Sequence, residues 1–173
     1  MIISVKEAII TDAELISRLA TETFYETYSW YNTAGDMRDY TGKYFNVKQT
    51  EKEIAEKGTF FFLAYADEEV IGYVKLRSLE NPEELKGKTH IEIERIYVKQ
   101  SFQKHKVGYA LINKCFEFAR QKNLDTIWLG VWEKNQRAIA FYERVGFKIF
   151  GNHIFILGKD PQNDYLMKFE LKD

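Results

Sequence analysis

The chain has 173 residues, 45% apolar and 16% aromatic, with 25 Lys or Arg against 26 Asp or Glu. That composition excludes a disordered chain, and the length is most economically one domain, residues 1–173, able to bury roughly 70% of its unfolded surface. The net charge of −1 conceals a balance of −5 over residues 1–88 and +4 over residues 89–173, which points to one cationic and one anionic partner or else to solvent faces that differ by chance.

Ile2 to Ile10 reads as a short strand, and Thr11 with Glu14 as a capping box before an amphipathic helix whose stripe is Leu15, Ile16, Leu19 and Phe24, ending near Tyr28. Ser29 to Gln49 is aromatic and polar and reads as a loop with one short helix at Asp36 to Tyr44; a further helix runs from about Gln49 to Lys57. These early helices either wall a pocket or simply cover a sheet face. Phe60 to Ala66 and Val70 to Arg77 form a hairpin about Asp67-Glu68-Glu69, with Gly72 marking a bulge or a close backbone approach. Asn81 to Lys88 is a loop into the next strand, and the short connections predict three antiparallel strands in a meander.

Ile91 to Gly108 changes character halfway. Up to Val98 polar and apolar residues alternate, as in a strand with unlike faces; Lys104, His105 and Lys106 then form a basic turn, and from Gly108 a helical period continues to about Lys122. Strand, basic turn and helix in that order make a plausible phosphate seat, because a helix N-terminus offers unpaired N–H groups and a positive dipole end. Cys115 keeps helical spacing with Val107, Leu111 and Phe118, which reads as core rather than nucleophile. Thr126 to Trp132 is apolar throughout, like a strand buried on both faces, and pairs in parallel with the Ile91 strand through a βαβ crossover. Asn135 opens a helix through Arg144, Gly146 stops it, and Phe147 to Phe155 and Tyr165 to Leu171 are closing strands. The longest apolar run, Phe60 to Ala66, is too short for a bilayer, and no signal-peptide pattern opens the chain, so a soluble, cytoplasmic protein without membrane contact is expected.

Gln103 to Gly108 (QKHKVG), after a strand ending Arg95-Ile96-Tyr97-Val98, resembles the Q/R-x-x-G-x-G/A coenzyme A loop of the GCN5-related N-acetyltransferases (GNAT). Asn135 to Phe147 resembles that family's second signature, N-x-x-A-x-x-F-Y-x-x-x-G-F, and IERIY, SFQKH, WLGVWEKN and AIAFY are similar to the PaiA-type polyamine acetyltransferases of bacteria. The resemblance implies an α/β (α+β) fold: a mixed central sheet of about seven strands, mostly antiparallel in its N-terminal part, with helices on both faces. It also implies acetyl-CoA as cosubstrate without a metal, and it leaves room for a homodimer, since relatives often pair through late strands. One position departs from the pattern: Lys106 stands where the family has its first glycine, removing the freedom of φ that suits a tight turn.

What the resemblance implies for single residues is equally specific. Ile96, Tyr97 and Val98 would offer backbone groups to the pantetheine arm. Gln103, Lys104, His105, Lys106, Val107, Gly108 and Tyr109 would meet the pyrophosphate, and Asn135, Ala138, Tyr142 and Arg144 would complete the coenzyme site. An alkyl ammonium with a pKa of ~10.4 is neutral about once in 2,500 molecules at pH 7, a penalty of ~4.6 kcal/mol, so a base is needed. Glu94 matches the strand carboxylate that takes this role through water in polyamine-acetylating relatives, or it only orients the acceptor, with Glu92 as the alternative base. Tyr142 matches the tyrosine that protonates the departing thiolate, or it packs its helix; Asn135 is in either case a good helix N-cap. For a small amine acceptor, best a polyamine such as spermidine or spermine, Glu22, Glu26, Asp36, Asp39 and Glu92 are the expected acidic contacts. Protein N-terminal, lysine or antibiotic acetylation remains open, because the loop motifs do not encode the acceptor, as does a non-catalytic acyl-CoA sensor. The sequence pI of about 6.3 and the lack of a base-reading motif argue against nucleic acid, and the three histidines lack metal-ligand spacing.

Overall fold

Period-two alternation builds the sheet. In β2 (Thr59–Ala66), Phe61 and Leu63 enter one core while Phe62 and Ala64 enter another, so both faces of the strand are buried. The computed structural model describes residues 1–78 and 82–172. Its seven strands are β1 (Ile3–Glu7), β2, β3 (Glu69–Arg77), β4 (His90–Val98), β5 (Thr126–Trp132), β6 (Lys148–Leu157) and β7 (Asp160–Glu170), in spatial order β1-β2-β3-β4-β5-β7-β6. Helices α1 (Ala13–Tyr28), α2 (Ala34–Tyr44) and α3 (Val47–Ala55) bury Ile16, Leu19, Phe24 and Met37 against one face. On the other face α4 (Val107–Gln121) buries Val107, Leu111 and Cys115, and α5 (Gln136–Val145) adds Ile139 and Tyr142. Cys115 is 0% exposed in this core, and burial pushes its thiol up, away from the nucleophilic thiolate.

Every neighbouring pair is antiparallel except β4 and β5, which α4 connects as a crossover. That parallel pair is also short. β3 and β4 run in register from Gly72 opposite Val98 to Lys75 opposite Arg95, and the next pair is Leu76 with Ile93. Glu94 is therefore the extra residue of a β-bulge. On the far edge, β4 pairs with β5 only from His90–Thr126 to Ile93–Leu129. Beyond the bulge the strands part, β5 staying with β7 as far as Trp132 opposite Asp164. Gly72 allows β3 to stay close to β4 here, since a Cβ would lie 2.8 Å from the Tyr97 carbonyl oxygen.

Several boundaries differ from the expectations. The first strand ends at Glu7 rather than Ile10, because the chain turns off the sheet through a short 3-10 segment, Ile10–Asp12. The Thr11–Glu14 capping box does not form: α1 starts at Ala13, and Asp12 Oδ2 instead accepts the Ile9 N–H at 2.8 Å. α2 and α3 each begin two residues early, since Thr33 and Asn46 supply the caps by accepting the N–H groups of Asp36 and Gln49. The hairpin turn is tighter than three residues, with Asp67 at φ 53°. Asn81 of the predicted loop lies outside the described residues, and the rest of it carries the 3-10 turn Glu83–Leu85, which buries Leu85. The largest difference is β7, which starts at Asp160 rather than Tyr165. Among the described residues no helix is long and apolar enough to cross a membrane.

Lys106 adopts φ 62°, ψ 14° as the residue ahead of α4, so the turn takes the left-handed conformation that glycine serves without strain. Lys106→Gly should therefore raise stability by about 1 kcal/mol, or about 2–4 °C in Tm for a chain of this size. Thermal melts of the two proteins at one pH check this, and a lower Tm for the glycine variant would contradict it.

Candidate active site

The parting of β4 and β5 opens a cleft of about 640 Å³. Along one wall run Ile96, Tyr97 and Val98, whose strand has no partner among the described residues on that edge past Ile93. At the end near α4 lie Gln103, Lys104, Lys106, Gly108 and Tyr109. Ala110 is the first amide to bond back, to Lys106 O at 3.1 Å, so the N–H groups of Val107, Gly108 and Tyr109 precede the helical ladder and face an incoming anion. The cleft is lined by six cations, Arg95, Lys104, Lys106, Lys134, Arg137 and Arg144, against the carboxylates Glu26 and Glu94. An unpaired strand edge, free amides and a cationic rim fit an elongated, phosphate-bearing ligand such as acetyl-CoA.

α5 closes the opposite wall with Asn135, Ala138, Tyr142 and Arg144. Asn135 Oδ1 caps the helix by accepting the Ala138 N–H at 3.2 Å while the residue also lines the cleft. Tyr142 is only 7% exposed, and burial pushes its phenol up, so it holds its proton at neutral pH. The two walls are tied together. Arg137 Nη1 donates to Gln103 Oε1 at 2.6 Å, and Gln103 Nε2 donates to Val98 O at 3.4 Å. Gly108 lets α4 meet α5, because a Cβ would sit 3.2 Å from Phe141 Cζ. Sequence reasoning passed over Arg137, although it lies inside the second signature. Of the expected coenzyme residues, two side chains do not line the cleft: His105 packs on Phe102, and Val107 is buried in the core beneath α4.

A second cavity, about 570 Å³, lies beside α1, α2 and the β6–β7 hairpin and shares Tyr28, Glu94, Arg95, Tyr97, Gly130 and Trp132 with the cleft. Its walls carry the rings of Phe24, Tyr28, Tyr40, Tyr97, Trp128 and Trp132. Four carboxylates line it, Glu84, Glu92, Glu94 and Asp164, against the guanidinium groups of Arg77 and Arg95. The bulge turns Glu94 into this junction, where it contacts Lys75 Nζ, Arg77 Nη1 at 3.2 Å and Arg95 Nη2 at 3.8 Å. Behind it, Glu53 on α3 pairs with Lys75 at 2.8 Å and with Arg95 at 2.9 and 3.2 Å. Arg77 Nε donates to Glu92 Oε2 at 2.5 Å.

The expected acidic contacts are dispersed by the geometry. Glu92 lines the second cavity. Glu26 lines the cleft instead, where its Oε2 accepts the Gln100 N–H at 2.9 Å and steadies the turn before α4. Asp36 binds Thr33 and accepts the Lys159 N–H at 3.3 Å, fastening α2 to the β6–β7 turn. Glu22 and Asp39 are exposed and line neither cavity, since α1 and α2 turn the faces bearing Phe24 and Met37 inward. Asp164 was missed: Asp160-Pro161-Gln162-Asn163-Asp164 has turn composition, and only its pairing with Trp132 and His153 reveals a strand. Among the described residues no group of three or more His, Cys, Asp or Glu is placed to hold a metal.

Comparison with known proteins gives these arrangements a context. The family model described as "Acetyltransferase (GNAT) family" matches residues 21–147. The chain is 38% identical over 167 residues to an uncharacterised N-acetyltransferase of the pepI 3′ region in Lactobacillus delbrueckii subsp. lactis, covering 96% of this chain and 95% of that one. It is 24% identical over 153 residues to a spermidine N(1)-acetyltransferase of Thermoplasma acidophilum, covering 86% and 90%. Among solved structures, the PaiA N-acetyltransferase of Thermoplasma acidophilum in complex with coenzyme A superposes with a TM-score of 0.81 at 21% identity, over 98% of this chain and 99% of that one.

The ion cluster behind the junction has a measurable pH signature. Burial pushes the Glu53 carboxyl up, but Arg95 and Lys75 together outweigh it and hold it below its usual range. Because the folded value lies below the unfolded one, this stabilisation is complete above the ordinary carboxylate pKa and is lost as acid protonates the folded protein. Glu53→Gln, which leaves buried Lys75 and Arg95 to share Glu94, should cost about 3 kcal/mol in urea unfolding at pH 7, with the deficit shrinking below about pH 4. An unchanged midpoint at pH 7 would contradict this.

Proposed function

The chain belongs to the GNAT acetyltransferase family and is an N-acetyltransferase; within that family we propose that it acetylates a polyamine such as spermidine or spermine, with acetyl-CoA as donor. The observation that carries the polyamine reading is the contrast between the two connected cavities. One is rimmed by six cations suited to phosphates, and the other is walled by four carboxylates and eight aromatic rings, which favour a flexible polycation. The name of the Thermoplasma relative, a spermidine acetyltransferase, supports the same reading.

In this reading the acetyl group arrives as a thioester, with the pantetheine along Ile96 to Val98 and the pyrophosphate over the amides ahead of α4. The amine nitrogen attacks the thioester carbonyl carbon, its proton leaves through water to Glu94, the C–S bond breaks, and Tyr142 returns a proton to the sulfur. Glu94 is supported by lining both cavities, so that a nucleophile from one and a carbonyl from the other meet beside it. Tyr142 is supported by lining the cleft with its phenol kept protonated by burial. Cys115, closed inside the core, is unavailable as a covalent relay, so the transfer is direct.

Release of free thiol from acetyl-CoA, measured over polyamines, peptides and aminoglycosides, tests the acceptor. Spermidine or spermine should give the highest kcat/KM, and a peptide or an aminoglycoside that outruns them would overturn the polyamine reading while leaving acetyl transfer in place. Glu94→Gln should lower kcat by about two to four orders of magnitude with coenzyme affinity retained. Gly108→Glu, which sets a carboxylate among the free amides and against Phe141, should abolish coenzyme binding in calorimetry; undiminished affinity would put the coenzyme elsewhere.

A further inference from the structure

Of the four carboxylates lining the amine-side cavity, Asp164 is the one that is buried and has no ion pair to a described residue. Glu92 is bound by Arg77, Glu94 touches Lys75, Arg77 and Arg95, and Glu84 stands exposed at the rim. Asp164 is 9% exposed, and its Oδ1 is buried without a hydrogen-bond partner among the described residues. A buried polar atom without a partner is costly, and protein interiors rarely leave one so. Its surroundings explain what could complete it. On β5 the facing residue is Gly130, where a Cβ would lie 3.5 Å from Asp164 Oδ2 and 3.3 Å from His153 Cε1. A side chain at this position would already press on His153, so the glycine keeps the cavity wall beside the carboxylate clear, and Gly130 is among the residues that both cavities share.

We propose that Asp164 is the acceptor anchor: its carboxylate binds an ammonium group of the incoming amine in the space over Gly130 and sets the preference of the cavity for cationic acceptors. This rests on the amine-acetylating reading above and adds to it a contact from β7, across the junction from Glu94. The ligand supplies the cation that the fold withholds. An ammonium offers three N–H donors, and the rings of Tyr28 and Trp132 stand on the same wall. Among the described residues, the groups facing Asp164 are Tyr28 from α1, Glu133 after β5 and His153 from β6, and Glu133 is itself anionic. Burial, reinforced by Glu133, pushes the Asp164 carboxyl up to about 6. A folded value raised above the unfolded one means that ionised Asp164 destabilises the free protein above that pH, a cost that amine binding offsets.

The test is Asp164→Asn, which keeps the shape and removes the charge. With spermidine as the probe, its KM should rise about ten- to hundredfold, while kcat and the KM for acetyl-CoA stay within about threefold. In the wild type the spermidine KM should climb as pH falls through about 6; Asp164→Asn should abolish this rise, and His153→Gln, which alters the residue paired with Asp164 on β6, should keep it. A second measurement guards against misfolding: without amine, the Asn variant should melt no lower than wild type at pH 7.5, and spermidine should raise the Tm of the wild type alone. An unchanged spermidine KM, or a collapse of kcat at constant KM, would overturn the anchor. Should another amine outrun spermidine, the polyamine reading falls while the anchor is judged on that amine by the same KM change. A wild type that binds no amine overturns both.

Discussion

A single unpaired residue in β4 organises this protein. Because Glu94 is bulged out of the ladder with β3, the parallel pairing with β5 stops at Ile93 and Leu129, and the two strands at the centre of the sheet separate. A continuous ladder would have buried these backbone edges against each other and left no room for a ligand. The interruption creates the cleft, exposes the edge of Ile96 to Val98 and turns the Glu94 carboxylate into the space so formed. Shape and chemistry thus come from one irregularity of register.

Holding a carboxylate there has a structural cost, and the fold distributes it. Lys75, Arg77 and Arg95 surround Glu94, and Glu53 and Glu92 in turn balance those cations, so charges alternate across β3, β4 and α3. Such a cluster gains little net stability over an apolar replacement, yet losing one member leaves the rest uncompensated. Its service is positional: Arg95 also stacks over Phe45, which fixes α3 and the α2–α3 connection relative to the bulge. The neighbouring cavities then take opposite polarity from different elements, cationic where α4 and α5 begin and acidic where β4 and β7 contribute Glu92, Glu94 and Asp164.

The strand–turn–helix unit was legible because each part carries its own signal: alternation to Val98, three basic residues, then a clean helical period ahead of an apolar parallel strand. Lys106 was also readable as a strained position, and it does adopt positive φ. Less was legible where local chemistry has two outcomes. Thr11 and Glu14 match a capping box, but the exit from β1 is set by Asp12 binding the Ile9 amide, a choice made by the end of the sheet. Acidic residues on α1 and α2 had the right charge for the amine side, but the apolar stripes Phe24 and Met37 rotate Glu22 and Asp39 to solvent. The first half of β7 was invisible for a deeper reason: Gln162 and Asp164 are polar side chains turned to a cavity, and a polar strand with Pro161 has the composition of a loop.

The two cavities meet at Tyr28, Glu94, Arg95, Tyr97, Gly130 and Trp132, yet each is otherwise walled by residues of its own. In the proposed reaction, donor and acceptor therefore draw on different walls and touch common ground only at these six residues. Under that reading the acetyl group passes at a crossing of two cavities rather than within one shared pocket, and the donor's walls can change without altering those of the acceptor.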